Sequence, residues 1–111
     1  MDIPRQAACL RIYTEEGRKD GSKPLFESIV LKARAAGLAG ATVLRGPMGY
    51  GVSTLLHTAA ILDLSANLPL VIEIIDAEDK LRAFAEGLAA LKDVGLVTLE
   101  KVEVLHDSRV T

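Results

Sequence analysis

The segment Leu70-Val71-Ile72-Glu73-Ile74-Ile75 most narrows what this chain can fold into, because it is apolar on both of its faces. Side chains along a strand point alternately to opposite sides. Leu70, Ile72 and Ile74 form one apolar row, and Val71, Glu73 and Ile75 form a second that is nearly as apolar. One row can be covered by helices of the same chain. The other must be covered by something else, because an antiparallel sheet face left in water reads polar.

The neighbouring segments supply the helices. Ala7 to Tyr13 alternates like a strand, with Leu10 and Ile12 on one face and Cys9, Arg11 and Tyr13 on the other. Glu15 to Lys23 is a charged loop in which Glu15 and Glu16 are expected to be solvated. Pro24 suits a first helical turn. Leu25, Phe26, Ile29, Val30, Ala33 and Ala36 then recur at helical spacing, with Gly37 as the stop.

Ala41 to Arg45 is a short second strand, followed by the glycine-dense run Gly46-Pro47-Met48-Gly49-Tyr50-Gly51. Ser53 to Leu64 fits a short helix or a strand arm equally well. Pro69 opens the third strand. Asp76 is expected to start the second helix, with Glu78 and Asp79 at the positive end of its dipole. Leu81, Phe84, Ala85, Leu88 and Leu91 form the buried stripe of that helix. Gly95 ends the connection, and Leu96 to Leu105 is the last strand.

The order strand, helix, strand, strand, helix, strand predicts an α+β, ferredoxin-like βαββαβ fold. Its four-stranded antiparallel sheet carries both helices on one face. At 111 residues the chain is expected to be one domain over 1–111, with a long central loop at about 46–68. The helix-free face would then present Arg11, Tyr13, Val71, Glu73 and Ile75. So large an apolar patch calls for closed symmetric self-association. Arg11 and Glu73 are expected to pair there, which avoids an unpaired buried charge.

Several function classes are disfavoured. With net charge −2, scattered basic residues and only four aromatics, the chain lacks the basic stripe and stacking platform of a nucleic-acid binder. The single Cys9 and two histidines make no zinc pattern, and Cys9 reads as a buried, inert thiol. Met1-Asp2-Ile3-Pro4-Arg5 does not read as a signal peptide, and Gly46 to Leu62 is too broken by glycine and proline for a membrane span. The cytoplasm is the expected compartment, without direct membrane insertion.

Gly46 to Ser53 looks like a phosphate loop except that Val52 stands where the lysine must be. That rules out the nucleotide-hydrolase reading. A glycine loop with accessible amides beside Arg45 remains, and it suits an anion. No nucleophile–base or paired-carboxylate arrangement is evident, so no catalytic and no metal-binding residue is assigned. A purely structural adaptor is the alternative reading. A small cleft enzyme with His57 as base is a third.

Gly21-Ser22-Lys23-Pro24-Leu25-Phe26-Glu27, the run Ala36 to Gly46, Gly49-Tyr50-Gly51, the run Leu64 to Glu73 and Gly95 to Glu100 resemble domain-of-unknown-function family 190. The resemblance runs from about residue 8 to 106, and this family is similar in fold to the trimeric PII signalling proteins. It implies a homotrimer whose central loop docks onto a partner, with adenine nucleotides bound in intersubunit clefts at the loop base. It also implies a membrane transporter, such as a fluoride exporter, as that partner. Lys92-Asp93-Val94-Gly95 stands where PII proteins carry a glycine-lysine phosphate loop, and Val104 and His106 stand where they carry arginines. A nucleotide or anion is therefore expected to use Arg45, Gly46, Gly49, Tyr50, Gly51, Lys92 and Arg109. Met48, Leu55, Leu56 and His57 are expected to form the docking part of the loop.

Overall fold

Alternation in the first strand sorts its side chains as expected. In the computed structural model, which describes residues 3–51, 57–58, 67–91 and 93–109, Leu10 and Ile12 are fully buried on one face of β1 (Gln6–Glu15). Of residues 57 and 58 only the backbone is described. A two-residue hairpin, β2 (Lys19–Asp20) and β3 (Lys23–Pro24), follows where the sequence suggested only a loop. It leads into α1 (Leu25–Ala35), whose first helical residue is Leu25 rather than Pro24.

Helix α1 buries Leu25, Ile29 and Ala33, a stripe at four-residue spacing, together with Ser28. It ends in a Schellman motif: the amide of Leu38 donates to the Ala33 carbonyl (3.1 Å) and that of Gly37 to Arg34 (3.1 Å). Gly37 takes φ +77°, which only glycine adopts without penalty. The motif turns Leu38 into the core, and β4 (Thr42–Arg45) follows.

Next come β5 (Met48–Gly49) and β6 (His57–Thr58), which pair with each other. Of the open stretch Ser53 to Leu64 only 57–58 are described, as a strand that pairs with β5 in a separate two-stranded sheet; its other residues lie outside those described. Then β7 (Pro69–Asp76) alternates strictly, with Leu70, Ile72 and Ile74 buried. Asp76 is not the cap of the second helix. It is the last residue of β7, and its buried carboxylate accepts from the amides of Ala39 (2.9 Å) and Ala77 (2.7 Å). Ala77 is the N-cap of α2 (Glu78–Leu88), which buries Leu81 and Leu88 and leaves Phe84 and Ala85 half-buried. β8 (Leu96–Glu103) stops two residues short of the expected end.

The long strands form one antiparallel sheet in the order β4-β7-β1-β8. Its register aligns Leu10 with Ile74 and Leu99, and Ile12 with Ile72 and Val97, under both helices. The fully buried ones, Leu10, Ile12, Ile72 and Ile74, each contribute about 1.5–3 kcal/mol through burial. The architecture is therefore α+β with a ferredoxin-like topology. The same register puts Cys9, Arg11 and Tyr13 beside Ile75, Glu73 and Val71 on the helix-free face, with Leu44 and Leu96 at its margins.

Candidate functional site

Glu15 pairs with Pro69 and Tyr13 with Leu96, so three strand ends meet at one end of the sheet: the end of β1 and the starts of β7 and β8. The stem of the central loop joins them, because Arg45 pairs with Leu70 and the Gly46 amide donates to the Pro69 carbonyl (2.8 Å). Between these segments lies a cleft of about 240 Å³, lined by Tyr13, Thr14, Glu15, Arg18, Gly49, Tyr50, Gly51, Pro69, Leu70, Val71 and Gly95. Gly95 is required there. Its φ is +109°, and a β-carbon on it would overlap the carbonyl oxygen of Tyr13.

The walls are mostly apolar or aromatic, with Tyr13 and Tyr50 exposed. One cation, Arg18, stands among the described lining residues. Arg18 reaches Glu15 (Nε to Oε1, 3.4 Å) and donates from Nη1 to the carbonyl of Asp93 (3.0 Å). The Thr14 hydroxyl oxygen is shut off from solvent and has no hydrogen-bond partner among the described residues. Such a site can hold a flat or apolar group against the rings and Val71, with an anionic group toward Arg18.

The residues expected to bind a ligand are only partly gathered here. Gly49, Tyr50 and Gly51 line the cleft. Gly46 lies at the stem, where a β-carbon on it or on Gly49 would press on the Pro69 ring at 3.2 Å. Arg45 is held by Glu16 (Nη2 to Oε2, 2.6 Å) and does not line the cleft. Arg109 sits at the opposite end of the sheet, bound to the Ala39 carbonyl (2.6 Å) and to Asp107. Of the docking residues, Met48 is exposed in β5, while Leu55, Leu56, the His57 side chain and the ligand candidate Lys92 lie outside the described residues.

On the helix-free face, Arg11 donates to Glu73 (2.8 Å), the expected pair, and also to Glu100 (3.0 Å). The hydrogen bond to Glu73, then that to Glu100, holds its guanidinium charged far above the ordinary range. Burial, the largest influence, raises the Cys9 thiol and outweighs the opposing effect of Arg11. Tyr13 and Ile75 are exposed, Val71 half-buried.

Sequence reasoning missed Thr14, Glu15, Arg18 and Pro69 in the cleft and Glu16 beside it. Glu16 is not a freely solvated carboxylate: besides Arg45 it accepts from the amide of Leu68 (3.2 Å). Periodicity carries no signal for such contacts, since they join a turn to residues 29 to 75 positions away. No group of three or more His, Cys, Asp or Glu side chains is placed to hold a metal among the described residues, and no helix there is long and apolar enough to cross a membrane.

Comparison with known proteins places the chain. Residues 7–104 match the model of family DUF190, described as an uncharacterized ACR. A UPF0166 protein of Aquifex aeolicus is 40% identical over 97 residues, covering 87% of this chain and 91% of that one. A UPF0166 protein of Methanocaldococcus jannaschii is 33% identical over 100 residues, covering 89% and 92%. Among solved structures, CPII of Thiomonas intermedia K12, a nitrogen regulatory PII-like protein bound to ADP, AMP and bicarbonate, superposes with a TM-score of 0.60 at 18% identity, covering 92% of this chain and 96% of that one. At that identity the likeness is one of fold, and the fold is PII-like. With nearly the whole described chain matched by the family model, the protein belongs to domain-of-unknown-function family 190.

Proposed function

We propose that the protein is a non-catalytic regulator that closes into a homotrimer through the helix-free sheet face. In this reading it senses a small anionic ligand, an adenine nucleotide or bicarbonate, in the cleft at the base of its central loop. The loop then docks onto a partner, for which a membrane transporter such as a fluoride exporter is the candidate.

The cleft carries this reading. It combines exposed tyrosine rings, an apolar floor and the guanidinium of Arg18 at the loop stem, and the PII-like CPII shares the fold and was bound to ADP, AMP and bicarbonate. Pockets that enclose small organic ligands measure about 300–1,000 Å³. The roughly 240 Å³ offered by one chain falls short of that, so a second copy is expected to complete the site. Arg109, at the far end of its own sheet, can serve the cleft only from a neighbouring copy.

Native mass spectrometry combined with calorimetry against ADP, AMP and bicarbonate tests this directly. The expected result is a trimer that binds at least one of the three with micromolar to millimolar affinity, weakened at least tenfold by Arg18→Ala. A monomer with no heat of binding for any of them overturns the reading.

A further inference from the structure

One four-residue turn, 15–18, touches both the cleft and the central loop. Its outer residues, Glu15 and Arg18, line the cleft. Its inner residues hold both stems of the loop. The Glu16 carboxylate takes Arg45 on the incoming stem (2.6 Å) and the Leu68 amide on the outgoing stem (3.2 Å). The Glu16 amide returns a bond to the Leu68 carbonyl (2.9 Å), and the Gly17 amide donates to Asn67 Oδ1 (2.6 Å).

We propose that this turn is a clamp coupling the cleft to the loop: Glu16 fastens the two stems together, and an anion bound beside Arg18 loosens that hold. The proposal rests on the cleft being the ligand site. The electrostatics give its direction. Negative charge brought to Arg18 competes with Glu15 for its guanidinium (3.4 Å) and so pulls on the turn that carries Glu16. The loop stems are then released from the turn, and the loop is freed to take up the arrangement its partner requires.

The Arg45–Gly46 bond is a built-in reporter, because trypsin cuts after arginine and needs both the side chain and the local backbone released. When opening is fast, cleavage tracks the open population. Without ligand, Glu16→Gln removes the charge while keeping an acceptor, and Glu16→Ala removes both. Mass-resolved cleavage after Arg45 is expected to rise about threefold in the first and about tenfold in the second, the scale of a partly exposed ion pair and one hydrogen bond. Asn67→Ala, which leaves Glu16 in place, is expected to give an intermediate rise and serves if Glu16→Ala does not fold by circular dichroism. Unchanged cleavage in the folded variants overturns the clamp.

With ADP, AMP or bicarbonate, whichever binds by calorimetry, cleavage in the unaltered protein is expected to rise. It is not expected to rise further in Glu16→Ala, although that variant still binds. Binding without any change in cleavage overturns the coupling and leaves the cleft reading intact. If none of the three binds, the cleft reading falls and takes the coupling with it, while the ligand-free rates still judge the clamp.

Discussion

At the scale of single residues, Gly95 is the position with least freedom. Its φ of +109° is unfavourable for any side chain, and a β-carbon would occupy the space of the Tyr13 carbonyl oxygen, which is backbone and cannot rotate away. Gly95→Ala is therefore expected to cost more than about 2 kcal/mol. Gly51 in the same cleft has nothing among the described residues within 4 Å of its missing β-carbon, so Gly51→Ala is expected to stay within about 0.5 kcal/mol. Urea unfolding of the two variants makes the comparison, and equal midpoints would show that the start of β8 relaxes away from Tyr13. Sequence marks both positions as glycine without distinguishing them. The difference lies in the pairing of Leu96 with Tyr13, which presses one glycine onto another strand's backbone.

At the scale of elements, the segment after β8 is tied down by a few polar contacts. The Val104 amide donates to the Arg5 carbonyl (2.8 Å), and Arg109 spans from Asp107 (2.8 and 3.0 Å) to the Ala39 carbonyl (2.6 Å). The Arg109 side chain holds the Asp107 carboxyl below its ordinary value, and Asp107 in turn raises Arg109. For a carboxylate with a lowered value, the stabilisation is complete above the ordinary value of about 3.9 and is lost as pH falls through the lowered one. Acidification through that lowered value, well below about pH 4, is expected to free Arg109. The Arg109 Nε–H resonance should follow a titration that Asp107→Asn abolishes; a resonance insensitive to pH down to 2 would mean that Ala39 alone holds the side chain. None of this was legible in the sequence, where His106 to Thr111 shows no period. The strands were legible because alternation is a local signal: Leu10 and Ile12 against Cys9, Arg11 and Tyr13 gave the two faces of β1, and the Arg11–Glu73 pair followed. Glu100 was missed as the second partner of Arg11 because Leu96 to Glu103 alternates poorly. Glu16 was missed because its partners are distant in sequence, and Arg18 because its bond to the Asp93 carbonyl spans 75 positions.

At the scale of the whole molecule, the helix-free face is the interface of the proposed trimer, and Arg11 reports on it. Arg11 stands at the centre of that face between Glu73 and Glu100, with Tyr13, Ile75, Leu44 and Leu96 exposed around it. On a face open to water, deleting this half-buried cation has a small effect on stability, because solvent and salt screen the carboxylates left behind. Under a second copy of the chain the same deletion strands two carboxylates away from water, and the penalty is far larger. Arg11→Ala is therefore expected to split the proposed trimer into folded monomers, as read by sedimentation velocity at micromolar concentration. Arg11→Ala combined with Glu73→Ala and Glu100→Ala should restore much of the association, because it removes the stranded charges together with their partner. A variant that unfolds with nearly the stability of the unaltered protein, at an unchanged subunit number, would mean that water reaches this face. The ligand cleft would then have to be complete within one chain.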